Sequence, residues 1–150
     1  MAVRTIRLKG DEILRKRSKE VKVIDQKILD LLDDLRDTMI DRDGIGISAV
    51  QIGSLKRVAL ITGEDDEIIE LINPVVLEAS GEQAFEEACL SVPNFHGEVL
   101  RPDYVEMEAL DRNGDLQYYE LEGTYAVIFM HELDHLDGIL YTDKLIEKDE

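Results

Sequence analysis

The sequence predicts an α+β fold: antiparallel or mixed strands packed around one buried helix near the C-terminus, with a second, N-terminal helix outside. Three observations predict it. Residues 125–137 are an apolar run that carries imidazole and carboxylate groups at helical spacing. Residues 24–39 repeat aliphatic side chains every three or four positions. Between the two lie short β-rich runs separated by turn signals, and runs that come in hairpins pair antiparallel.

A chain of 150 residues is expected to form one domain, residues 1–150. Its 44% hydrophobic content suffices for a sizeable core, and with 5% aromatics and no Trp that core must be mainly aliphatic. The formal charge of −17 repels nucleic acid and anionic membranes, so neither is expected as a direct partner. One cysteine excludes an internal disulfide. The first ten residues are polar and contain no apolar signal region, and no run approaches a membrane span. A cytoplasmic protein is expected.

Residues 11–15 have room for one helical turn. Lys9, Arg15, Lys16, Arg17 and Lys19 make this end locally positive, which reads as a solvated face. Asp25 is a good N-cap, and Ile24 and Leu29 occupy the positions of a hydrophobic staple. Ile28, Leu32, Leu35 and Met39 then form one apolar face, with Asp33, Asp34, Arg36 and Asp37 mostly outside it. This scaffold helix should stop near Asp43-Gly44.

Residues 44–51 are rich in small side chains, which let a backbone approach something closely. They lack the Lys-Ser/Thr of a phosphate loop and the third Gly of a dinucleotide fingerprint. Alone they read as a turn leading out of a helix. Residues 57–62 read as a strand, 63–66 as a turn and 67–72 as its returning partner. Asn73-Pro74 is expected to break that strand, and residues 75–77 to start another short one, ended by Ser80-Gly81. Residues 105–109 alternate apolar and charged, residues 111–114 are a hairpin turn, and residues 116–121 return. Thr124 is a plausible cap for the next helix, which Gly138 ends. The acidic tail, residues 142–150, is expected to fray.

The chemistry concentrates in that last helix. His131-Glu132-Leu133-Asp134-His135 places two imidazoles four residues apart, one above the other on one face. They can share one metal ion, and Glu132 can reach a water bound to it. The chain has three histidines in all, so two falling at this spacing around a Glu by chance is improbable.

A catalytic metal usually has three protein ligands and one open position. A third His six residues after the second is one solution, but Tyr141 stands there. A Glu on a later helix is another; Glu147 is the candidate, in a tail with little to pack against. Cys89 is the third and favoured one. It lies between two Glu and Ser-Val-Pro, and a thiolate suits a borderline-soft metal that already has two imidazoles. Ligand chemistry by itself favours zinc.

Gly44-Ile45-Gly46-Ile47-Ser48-Ala49-Val50-Gln51, Glu87-Ala88-Cys89-Leu90-Ser91 and His131-Glu132-Leu133-Asp134-His135 resemble the three motifs of the peptide deformylases, in the same order and at similar separations. The likeness covers nearly the whole chain. It implies a hydrolase that removes the N-formyl group from the starting Met of new bacterial or organellar polypeptides. By that resemblance Cys89, His131 and His135 bind one divalent ion, typically Fe²⁺, with Zn²⁺, Ni²⁺ or Co²⁺ as substitutes. The resemblance also implies that the ion would activate a water toward the formyl carbon, with Glu132 as general base and then acid. The Gln51 amide and the Leu90 backbone N–H stabilise the oxyanion.

The resemblance further implies that N-formylmethionyl peptides lie extended against Ile45, Gly46 and the chain around Glu87 and Ala88. An apolar pocket for the Met side chain then draws on Ile45, Phe85, Val127 and Ile128. Ser48 replaces the family's usual Ala, Ala88 its usual Gly, and Met130 a common Gln. His96 stands where many members have an Arg that helps hold Glu87, with Arg101 an alternative partner. The short acidic tail differs from the long basic helix by which some members dock on the ribosome, so direct docking is not expected. The protein is expected to be a monomer. A related amidase or peptidase, or a non-catalytic metal- or peptide-binding protein, remain as alternatives; the complete Gln51, Leu90 and Glu132 set weighs against pure binding.

Overall fold

Helix α1 (Gln26–Asp41) begins at the predicted cap: the Asp25 side chain accepts from the Ile28 N–H at 3.2 Å. Its predicted face, Ile28, Leu32, Leu35 and Met39, is buried. Asp34 departs from expectation. It is also buried, accepting from the Ala2 N–H and Arg4 Nε and so pinning the N-terminal segment to the helix. The structure is a computed structural model and describes residues 2–146.

Five antiparallel strands form the main sheet: β1 (Gly46–Ser48), β2 (Val58–Thr62), β3 (Ile68–Ser80), β6 (Tyr104–Leu110) and β7 (Leu116–Glu122), in the order β1-β2-β3-β6-β7. β4 (Gln83–Cys89) and β5 (Val92–Arg101) pair with each other as a separate hairpin. α1 covers one face of the sheet, packing on Ile47, Val58, Leu60 and Ile72. Helix α2 (Thr124–Leu136) covers the other, packing Ala126, Ile128 and Phe129 on Ile61, Leu71, Val105 and Met107. β2 feeds both cores, which is why its sequence is an unbroken apolar run rather than an alternating one. β6, with one face buried, alternates as expected. The α+β architecture is the predicted one, with α2 between the sheet and the hairpin.

Three local expectations are corrected. Asn73-Pro74 does not end a strand: β3 runs through it with a register shift between Ile72 and Val75. Asn73 takes a left-handed conformation (φ 54°), and its side chain exchanges two 2.8 Å hydrogen bonds with the Val21 backbone. A bulge tolerates Pro because the missing N–H has no ladder partner to lose. Thr124 is the first residue of α2 and not its cap; Gly123 occupies the cap position without a side-chain bond. The segment at residues 44–51 is more than a turn, because it supplies β1 and a 3-10 turn at Ala49–Ile52.

Candidate metal centre and active site

α2 ends where the sequence says. Gly138 (φ 77°) lets the Gly138 N–H reach the His135 carbonyl at 3.1 Å and the Ile139 N–H the Asp134 carbonyl at 2.9 Å. A Cβ at Gly138 would lie 2.5 Å from the Arg15 carbonyl oxygen, so glycine also allows the N-terminal segment to close on the helix end. The helix thereby presents His131 and His135 on one buried face, with Nε2 atoms 3.1 Å apart. The β4–β5 hairpin brings Cys89 to the same point, its Sγ 3.3 Å from His135 Nε2. The three donor atoms lie within 4.8 Å of one another.

This donor set fits a single ion. Nitrogens bound tetrahedrally to one ion are about 3.4 Å apart, close to the separation here. His131 Nδ1 is held by Glu87 Oε1 at 2.7 Å, which leaves Nε2 facing the convergence point. Burial pushes His135 well below its usual pKa, so its imidazole is neutral and ready to ligate. Burial also opposes charge on His131, but hydrogen bonds with Cys89 and Glu87 outweigh it and push that pKa up to about 10. A proton on this imidazole competes with an ion for its ring nitrogen. Apparent metal affinity should weaken on the order of tenfold per unit as pH is lowered through the neutral range, checked by chelator competition across pH.

Glu132 is buried beside the triad. The Ser48 hydroxyl donates to its Oε1 at 2.9 Å, and Gly46 lies against Oε2, where a Cβ would approach to 2.6 Å. Burial raises the Glu132 pKa, against the His131 charge and the Ser48 bond, so this carboxyl takes up a proton more readily than an exposed one. Gly46→Ala should push this carboxylate aside and lower kcat on the order of 10- to 100-fold with the fold intact, read from steady-state kinetics alongside thermal unfolding. The Ser48 N–H donates to Gln51 Oε1 at 2.9 Å, which aims Gln51 Nε2 at Ser91 Oγ (3.1 Å) and Cys89 Sγ (3.6 Å).

The sequence-nominated residues meet in one cavity of about 440 Å³. Its wall includes Ile45, Gly46, Gln51, Phe85, Glu87 and Ala88, and also Cys89, Leu90, Val127, Ile128, His131 and Glu132. His135 lies beneath them, 1% exposed.

Glu87 is held by Arg101 rather than His96. The Arg101 guanidinium donates to both Glu87 oxygens at 2.7 and 3.0 Å and to Asp134 Oδ2 at 2.5 Å. Strand pairing explains the choice. Gln83, Phe85 and Glu87 lie opposite Arg101, Val99 and Gly97, so Arg101 shares a face with Glu87. His96 lies opposite Ala88 on the other face, where it contacts the exposed Glu86. Burial would raise the Glu87 pKa, but the bonds from Arg101 and His131 hold it below the usual carboxylate range. Arg101→Ala leaves two buried carboxylates facing each other and should destabilise the protein by about 3–5 kcal/mol in urea unfolding.

Asp134, Ser48, Ser91 and Tyr141 are site residues that the sequence reading gave no role. Asp134 was findable, since it lies three residues from His131 on the same helix surface. The others depend on long-range contacts. Glu147 lies outside the described residues.

A profile of the polypeptide deformylase family matches residues 3–150. A peptide deformylase of Acetivibrio thermocellus is 53% identical over 97% of this chain and 85% of its own length. Peptide deformylase 1 of Clostridium acetobutylicum is 46% identical over 99% of each chain. The crystal structure of peptide deformylase from Thermotoga maritima superposes with a TM-score of 0.94 at 32% identity, covering 98% of this chain and 100% of that one. The chain belongs to the polypeptide deformylase family of metal-dependent hydrolases.

Proposed function

We propose that this deformylase acts on N-formylmethionyl peptides in a site built from Cys89, His131 and His135 as metal ligands, with Glu132 as the proton carrier. The observation that carries the reading is the meeting of the three donors at the floor of an apolar cavity, with a buried carboxylate beside them. A divalent ion bound there supplies Lewis acidity and lowers the pKa of its water. Fe²⁺ is the proposed native ion, with Zn²⁺, Ni²⁺ or Co²⁺ able to replace it; one thiolate and two imidazoles suit each of these.

The chain's own groups perform the rest. Glu132 accepts the proton of the attacking water at Oε2, the oxygen that Ser48 does not hold, and returns it to the leaving amine. Gln51 Nε2 and the Leu90 backbone N–H donate to the carbonyl oxygen as it gains charge. The peptide lies extended between Ile45-Gly46 and Glu87-Ala88, adding main-chain hydrogen bonds as a strand does. Ile45, Phe85, Val127 and Ile128 receive the Met side chain. Glu87 serves through His131, because both its oxygens are engaged with His131 and Arg101.

We place this activity in one catalytic domain, residues 1–150, working as a cytoplasmic monomer without direct contact to nucleic acid or the ribosome. The charge of −17 supports the last point, and no helix of the described residues is long and apolar enough to cross a membrane. Protein purified without oxygen and loaded with one ion should release formate from formyl-Met-Ala-Ser. Metal-replete protein that releases none from any formyl peptide would overturn the reading.

A further inference from the structure

After α2 the chain folds back over the outside of β5. Leu145 bridges to Val99, and the Ile146 N–H donates to the Glu98 carbonyl at 2.8 Å. Tyr141 opens this return. It is 1% exposed, among the largest fully buried side chains of the described residues. Its ring stacks on His131 with centroids 5.8 Å apart and planes at 29°. Its hydroxyl donates to the Phe95 carbonyl at 3.0 Å.

The hairpin register explains why Phe95 needs a donor from outside. Ala88 pairs with His96, and the next pair is Cys89 with Val92. Residues 93–95 therefore have no register partner on β4 and form a bulge, with Asn94 in the left-handed region (φ 63°). A bulge frees backbone groups that must find partners elsewhere. Pro93, Asn94 and Phe95 also form part of the cavity wall. One side chain thus touches a metal-ligand imidazole with its face and the substrate-cavity wall with its hydroxyl.

We infer that Tyr141 is a positioning residue that sets the two halves of the site: its hydroxyl fixes the cavity wall at the 93–95 bulge, and its ring fixes the plane of the His131 imidazole. The inference rests on the deformylase reading above and deepens it. It also gives a use to the position at which the sequence pattern could have carried a third histidine and does not.

Hydroxyl and ring can be removed separately. Tyr141→Phe keeps the stack and leaves the Phe95 carbonyl without its donor. The KM for formyl-Met-Ala-Ser should rise on the order of fivefold, with kcat and metal content unchanged. Tyr141→Leu removes the ring as well. In addition to the KM change, the zinc dissociation constant from competition with a chromophoric chelator should rise on the order of tenfold. Thermal unfolding of both variants accompanies these measurements, because a merely structural tyrosine would lower the melting temperature and leave KM alone.

An unchanged KM in Tyr141→Phe overturns the inference for the hydroxyl, and unchanged zinc competition in Tyr141→Leu overturns it for the ring. If Tyr141→Leu does not fold, Tyr141→Phe decides for the hydroxyl, and zinc competition in Tyr141→Met, which keeps most of the buried volume without a ring, decides for the stack. Failure of the deformylase reading looks different: metal-loaded wild-type protein would release no formate, and the chelator competition would still test the ring.

Discussion

Cys89→Ala gives a folded protein that neither retains a stoichiometric ion nor deformylates. Cys89 is one of three donors, and it is the one delivered by the hairpin rather than by α2. Without its sulfur, two imidazoles on one helix turn remain, fewer than the three protein ligands of a catalytic site. Activity should fall at least ~1,000-fold, since the water loses the acidification that makes it a nucleophile near neutral pH. The fold should survive, because Cys89 lies outside both hydrophobic cores that join the helices to the sheet. Elemental analysis after anaerobic purification, paired with a formate-release assay, checks both halves. A variant with one ion per chain and wild-type turnover would remove Cys89 from the account.

Glu132→Gln produces the opposite pairing: the metal stays and turnover goes. Glu132 is buried next to the triad but is not one of the donors, and Ser48 holds one of its oxygens. Glutamine keeps the volume and can still accept from the Ser48 hydroxyl, but it cannot take up a proton. The expected loss in kcat is on the order of 100- to 10,000-fold, the usual range for a positioned proton carrier. KM should change little, because the cavity wall is undisturbed. If the variant also lost its metal, Glu132 would be supporting the ligands rather than moving protons. The contrast between the two substitutions separates ion holding from proton transfer within one cavity.

Both helices were legible in the sequence because each satisfies several local rules at once. α1 has a cap, a staple and a four-three-four aliphatic repeat, and α2 has an apolar run closed by a left-handed glycine. The β4–β5 hairpin was not legible, although it carries Cys89. β4 alternates in burial, but its inward positions include the polar Gln83 and Glu87, so its hydropathy does not alternate, and in β5 Pro93 and Gly97 read as breakers. Asn73-Pro74 misled for a related reason. Its bulge is sustained by Val21, 52 residues away, a contact that no window of sequence contains. The Cys89, His131 and His135 trio that could hold an ion was readable as motif chemistry, but the groups that orient it were not. Arg101 prevails over His96 because of strand register, and Tyr141 reaches His131 only after the chain turns back at Gly138.

X-ray absorption spectroscopy of the anaerobically loaded protein tests the central claim most directly. The account predicts one sulfur neighbour at about 2.3 Å and two imidazole nitrogens at about 2.0–2.1 Å around a single ion. A spectrum with only nitrogen and oxygen neighbours, and no sulfur at bonding distance, would contradict it.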